Sequence, residues 1–203
     1  MARAMASVLG PGTLSVAELH AARLDGELYA VDERFSPIDE AETAWLRATA
    51  MRSLAGTRMI AELDSALWIH GLLAHPPAVH TVCVARSDRI KFPPSRRFVL
   101  REVTHAAGDT TEIAGLRVTV PGRILYDLAF AEASDAARRA GGLLVRWPQL
   151  ADACARRIAD APNLPGKGVA LRRLALWAAA ADPDGERPGS VSERQPALTR
   201  YTS

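Results

Sequence analysis

Apolar residues recur at helical spacing in seven stretches of the chain, and two shorter regions instead carry β-branched and aromatic runs. Near the start, Ser15 is followed three positions on by Glu18, the spacing of a capping box, so a short helix is expected. Val16, Leu19, Ala22 and Arg23 fall near one face of it, and Gly26 is placed to end it. Leu28, Tyr29 and Val31 then read as a strand that leads into the turn-forming segment 32–37. Helix, strand, turn, strand is half of a winged helix. Only about a dozen residues precede Leu14, and the first two helices of such a module are not in the pattern.

From position 39 a helix is expected with Ala44, Trp45, Ala48, Met51 and Leu54 on its apolar face and Gly56 at its end. A second is expected over 58–73, with Ile60, Leu63, Leu67 and Ile69 apolar and Pro76-Pro77 breaking it. Segments 79–85 and 98–104, and a run within 113–120 around Gly115, read as strands of a small three- to four-stranded sheet. Pro121 suits the first turn of the next helix, whose apolar face is Ile124, Leu125, Leu128 and Ala129. Helices over 134–145, 147–161 and 168–181 follow, and the turn formers and charges of 182–203 predict a disordered tail. The expected fold class is therefore α+β, with a partial, degenerate winged-helix-like segment at 1–38 and a mainly helical domain with a small sheet at 39–181.

Composition narrows the classes. The 203 residues are 48% hydrophobic and 24% charged, enough to bury a core in one domain or in one domain with an appendage. Twenty-five basic and 23 acidic residues leave a net charge of +2, so a nucleic-acid surface would have to be local. The sum conceals a division: residues 1–40 total −4, 41–110 total +3, 111–181 total +4 and 182–203 total −1. Cys83 and Cys154 form neither a CxxC pair nor a disulfide framework, and no apolar run is long enough for a signal peptide or a membrane span. A cytoplasmic protein without a membrane partner is expected.

Candidate chemistry is sparse. His70, His75, His80 and Cys83 are not spaced to share one face of a helix or strand, so no metal site is expected. There is no Gly-x-Ser-x-Gly elbow, and Gly166-Lys167-Gly168 reads as a break between helices with a solvated lysine rather than as a phosphate loop. No catalytic residue and no cofactor are expected. Arg123 and Asp127 are spaced to pair across one helical turn, which supports a helix by about 0.3–0.5 kcal/mol when exposed. Three arginine doublets, Arg138-Arg139, Arg156-Arg157 and Arg172-Arg173, sit on successive helices; packed side by side they would form an anion- or partner-binding patch, although a solvated face is the simpler reading.

Three of these segments together carry a resemblance. The helix end Ala66-Leu67-Trp68-Ile69-His70-Gly71-Leu72, the strand Val79-His80-Thr81-Val82, and the segment from Thr119 through Pro121, Arg123, Asp127 and Leu128 to Ala129 occur in that order. Over about residues 15–180 the chain resembles the AbiEi antitoxin family, as a short member of actinobacterial type, with His70, Gly71, Thr119, Pro121, Arg123 and Asp127 as its motif residues. The resemblance implies a non-catalytic antitoxin of a type IV toxin–antitoxin system that counters a nucleotidyltransferase-like toxin. It also implies an N-terminal winged helix-turn-helix that represses its own operon; operator DNA would then be a second partner, contacted through Arg23 and Arg34. The first 40 residues depart from that pattern, because a module that neutralises phosphates should not be acidic.

Overall fold

The computed structural model describes residues 7–84, 96–132 and 134–182. The first helix, α1 (Val16–Leu24), opens with the expected capping box: Ser15 Oγ accepts from the Glu18 N–H at 3.3 Å, and the Glu18 carboxylate accepts from the Ser15 N–H at 2.8 Å. Strands β1 (Leu28–Val31) and β2 (Arg34–Pro37) form an antiparallel hairpin, turned at Asp32 and Glu33, with Asp32 in the left-handed region at φ +58°. Leu19 of α1 packs with Leu9, Leu28 and Phe35 in a small core of this module.

Helix α2 (Ala44–Ala55) is capped by Thr43, whose Oγ1 accepts from the Leu46 N–H, and it buries Leu46, Arg47, Ala48, Ala50, Met51 and Ala55. Its buried face is thus turned from the expected one, and Trp45 is 53% exposed. Arg47 explains part of the rotation, because its Nη1 donates to the carbonyls of Trp68 (2.6 Å) and Leu73 (3.0 Å) while Nε pairs with Glu42.

The expected helix at 58–73 is in fact two elements. Ile60–Ala61 form a short strand, β3, and α3 spans only Leu63–Ile69. Apolar residues fit a helix and a buried strand equally well, and here a strand forms because β3 lies between two partners in the sheet. Leu63, at φ +47°, makes the abrupt change of direction. Gly71, at φ +81°, ends α3, with its N–H bonded to the Trp68 carbonyl and the Leu72 N–H to that of Leu67.

The remaining strands are β4 (His80–Val84), β5 (Phe98–Glu102), β6 (Thr110–Ile113) and β7 (Leu116–Thr119). The main sheet has five strands in the order β5-β4-β3-β7-β6, one or two more than the pattern predicts. One of these is β3. The other arises at Ala114-Gly115, whose positive φ angles of +51° and +74° make a two-residue hairpin that pairs Ile113 with Leu116. β3 is parallel to β7 and β4 to β5, while the other pairings are antiparallel.

Four helices complete the domain: α4 (Pro121–Phe130), α5 (Ala136–Arg146), α6 (Leu150–Asp160) and α7 (Lys167–Ala181). Pro121 occupies the first turn of α4, as expected. α4 packs against α3, α5, α6 and α7, so Ile124, Leu125 and Leu128 join Leu67, Trp68 and Val118 in the main core. Lys167 is not merely solvated: its Nζ donates to the carbonyls of Ala159 and Ala161 and so caps the end of α6. The expected tail lies outside the described residues apart from Asp182.

Candidate functional site

The motif residues meet along the line where β7 enters α4. His70, just past α3, donates from Nε2 to the Thr119 carbonyl at 2.9 Å. Burial first, and then Arg146, push its pKa down, which the Thr119 bond partly opposes. The Thr119 hydroxyl donates to the Ala61 carbonyl at 3.3 Å, tying β7 to β3 from the side-chain side. Pro121 starts α4, and one turn brings Arg123 opposite Asp127, with Nε 3.1 and 3.0 Å from the two carboxylate oxygens.

That pair is not the exposed helix brace of the sequence reading, since the two side chains are only 9% and 12% exposed. Arg123 Nη1 also reaches Asp109, in the turn before β6, at 2.6 Å. Arg157 of α6 closes on the same carboxylate at 2.6 and 2.9 Å, and both guanidinium groups lie over the Tyr126 ring. Burial works against a charge on Asp109, but hydrogen bonds from Arg157, the Ala106 N–H and Arg123 hold it well below the usual carboxylate range. For Arg123 burial likewise opposes the charge and is overcome by Asp127 and Asp109. Asp109, Arg123 and Arg157 of this network form one wall of a cavity of about 210 Å³ that Gly122, Leu150 and Cys154 also line. Burial pushes the Cys154 thiol up to about 11, so it is not a thiolate near neutrality.

A second cluster adjoins the first at Tyr126 and Asp127. Glu62, between β3 and α3, is fully buried, and burial raises its pKa. Its oxygens accept no hydrogen bond of ordinary geometry, although the Cys83 thiol lies beside them and Arg101 Nη1 is 3.4 Å away. Cys83 Sγ is 3.1 Å from His105 Nε2, but burial and then Glu62 push the thiol far up, which disarms it as a nucleophile. Leu63, Arg101, Tyr126, Asp127 and Phe130 line a surface cavity of about 360 Å³ here.

A third grouping has the residue types of a hydrolytic triad without the local motif of one. Ser65 Oγ lies 3.0 Å from His80 Nδ1, and His80 Nε2 lies 3.0 Å from Asp32 Oδ2. Ser65 and His80 are wholly buried, and Ser65 Oγ already accepts from the Thr81 N–H, so no substrate reaches the hydroxyl. With hydrogen on Nε2, the ring donates to Asp32 and accepts from Ser65. Arg97 pairs with Asp32 and with Glu33, and the whole set fastens the turn of the N-terminal hairpin to the sheet. Residues 32, 65 and 80 are far apart in the chain and share no motif, so only their pairing in space marks them.

The members of the three arginine doublets differ in their surroundings. Within each doublet the second residue has an internal partner: Arg139 with Asp64 and Asp135, Arg157 with Asp109, Arg173 with the Ala129 and Ala131 carbonyls. Arg138, Arg156 and Arg172 are exposed, each two positions along its helix from a buried alanine or cysteine and so on the side away from the core. In the N-terminal module Arg23 is exposed, whereas Arg34 donates from Nε to Ser53 Oγ at 2.7 Å and from Nη2 to the Ser53 carbonyl. Among the described residues no three His, Cys, Asp or Glu side chains are grouped to hold a metal ion, and no helix is long and apolar enough to cross a membrane.

Fold and cluster define an α+β domain in which His70, Thr119, Arg123 and Asp127 bond across the junctions of sheet, turn and helices. The model of the AbiEi antitoxin C-terminal domain matches residues 59–164, and the chain belongs to that family. The RV2827C protein from Mycobacterium tuberculosis, known from a crystal structure, is similar at 15% identity and a TM-score of 0.44, over 81% of this chain and 64% of that one. The chain thus spans a little under two thirds of that protein's length. Comparison with curated proteins gives no match.

Proposed function

We propose that this chain is the non-catalytic, cytoplasmic antitoxin of a type IV toxin–antitoxin pair and counters a nucleotidyltransferase-like toxin. The family match over 59–164 carries this reading, because that interval holds all six motif residues, from His70 to Asp127. The state of the nucleophile candidates supports the absence of catalysis: Ser65 is buried under Thr81 and His80, and both thiols are pushed above their ordinary range. We assign the antitoxin role to 39–181 and treat 1–38 as an accessory module. Co-expression with a neighbouring nucleotidyltransferase-like gene tests the proposal. Growth arrest should occur with the toxin alone and be relieved by this chain, and arrest that persists in its presence overturns the reading.

The alternative is a DNA-binding autorepressor of winged-helix type, favoured by the order α1, β1, β2. Its electrostatics run the other way: Arg34 is engaged with Ser53, and the hairpin turn is fastened to the sheet through Asp32. A gel shift with the upstream region decides between them. Tight, salt-sensitive binding that is lost in R23A would establish the repressor.

A further inference from the structure

We infer that the outer face of α1 docks a basic amphipathic helix of another protein. α1 turns Leu19, 1% exposed, inward against Leu28 and Phe35, and its packing neighbour is β1. At 100° per residue the side away from Leu19 carries a stripe of Ala17, Ala21 and Leu24, with no carboxylate or guanidinium among them; His20, whose ring meets Phe35 edge-on, and Val16, next to Arg23, form its margin. Val16 is 54% and Leu24 88% exposed, and both alanines are exposed as well. Ile38, 63% exposed, lies just beyond the C-terminal end of α1, where its N–H bonds to the Glu27 carbonyl and the Glu27 N–H bonds to the Ala22 carbonyl. Leucine and valine at these exposures cost solvation energy in isolation, and Ala17 and Ala21 one turn apart let a second helix axis approach closely.

Charge selects the occupant. Between residues 7 and 42 there are eight acidic residues and two basic ones; Asp32, Glu33 and Glu42 are paired with Arg97 and Arg47, and Arg34 is bonded to Ser53, which leaves the carboxylates near α1 in excess. Glu18, Asp25 and Glu27 flank the stripe, so an incoming helix gains by carrying lysine or arginine beside its own apolar face. A second copy of α1 would bring the same carboxylates against these, and DNA phosphates would meet the same repulsion. This surface is separate from the motif residues 70–127, so it stands or falls independently of toxin neutralisation.

The test uses the full chain and a fluorescein-labelled synthetic peptide of about 18 residues, helical, with leucine and alanine on one face and lysine on the other. Fluorescence anisotropy should report binding that weakens about tenfold in L24Q, through lost apolar burial, and severalfold in the double variant D25N/E27Q. Leu24 is almost fully exposed, so L24Q should melt like the parent, and that comparison accompanies the titration. Equal binding to L24Q, or equal binding of a shuffled peptide with the same lysines, overturns the inference. So does a parent dimer in sedimentation that L24Q dissociates, which assigns the face to a second copy, or displacement of the peptide by duplex DNA.

Discussion

Asp109 and Arg157 stand 48 positions apart, and their side chains meet in two hydrogen bonds of 2.6 and 2.9 Å. The same carboxylate takes Arg123 at 2.6 Å, so one acid from a turn joins two helices to the sheet. Removing it leaves Arg123, a guanidinium only 9% exposed, with Asp127 as its remaining carboxylate partner. D109N should therefore cost about 3 kcal/mol of unfolding free energy. R157A should cost only about 1 kcal/mol, because that side chain is 39% exposed and screened by water. Urea unfolding of both variants checks the order, and a D109N loss as small as that of R157A would contradict it.

The same acid makes stability depend on pH on the acid side. Its folded-state pKa lies below the unfolded one, so its contribution is complete above the unfolded value, near about 4, and is lost as pH falls through the folded value. The urea midpoint of the parent should fall as pH is lowered below about 4, and that of D109N should fall less steeply.

Glu62 should show the opposite sign. Burial raises its folded-state pKa, so folding favours the protonated form, and the contribution present below the unfolded value is lost as pH rises through the folded one. E62Q mimics the protonated carboxyl. Relative to the parent, its urea midpoint should improve as pH rises above about 4 and level off once the parent's Glu62 ionises in the folded state, and a constant offset would show that Glu62 does not titrate in this way.

The fastening of the N-terminal hairpin can be loosened at Asp32. D32N removes the negative charge shared by His80 and Arg97, at a cost of about 2 kcal/mol felt first at the hairpin. Amide exchange at β1 and β2 should accelerate while α4 through α7 keep their protection, since Leu28 and Phe35 belong to the small cluster and only Val31 and Tyr29 of the hairpin reach the core of those helices. Uniform acceleration throughout would mean that the hairpin has no independent opening.

Gly71 tests whether a motif residue is needed for its backbone. At φ +81°, with Arg146 Nη1 no nearer than 3.8 Å to an added Cβ, alanine meets strain but no clash. G71A should lose about 1–2 kcal/mol and melt lower by roughly 3–6 °C. Toxin protection by G71A at a temperature where it is folded should equal that of the parent, and loss of protection in a folded G71A would give the glycine a direct role.

Much of the local structure is legible in the residues alone. Ser15 and Glu18 mark the start of α1, Pro121 that of α4, and the four-residue spacing of Arg123 and Asp127 already implies their pairing, because caps and helix faces depend on neighbours within one turn. The Thr119–Ala129 segment also carried the family. Other features needed the third dimension. Met59-Ile60-Ala61 continues a helical pattern, and β3 exists only because β4 and β7 come to lie on either side of it. The arginine doublets look equivalent in one dimension, yet Asp64, Asp109 and the end of α4 each claim the second member of one doublet. Asp109, Asp32 and Ser65 sit in ordinary local sequence. Their side-chain partners lie between 14 and 65 positions away, and charge and hydrogen bonding at that separation depend on distance in space, which only the packed chain sets.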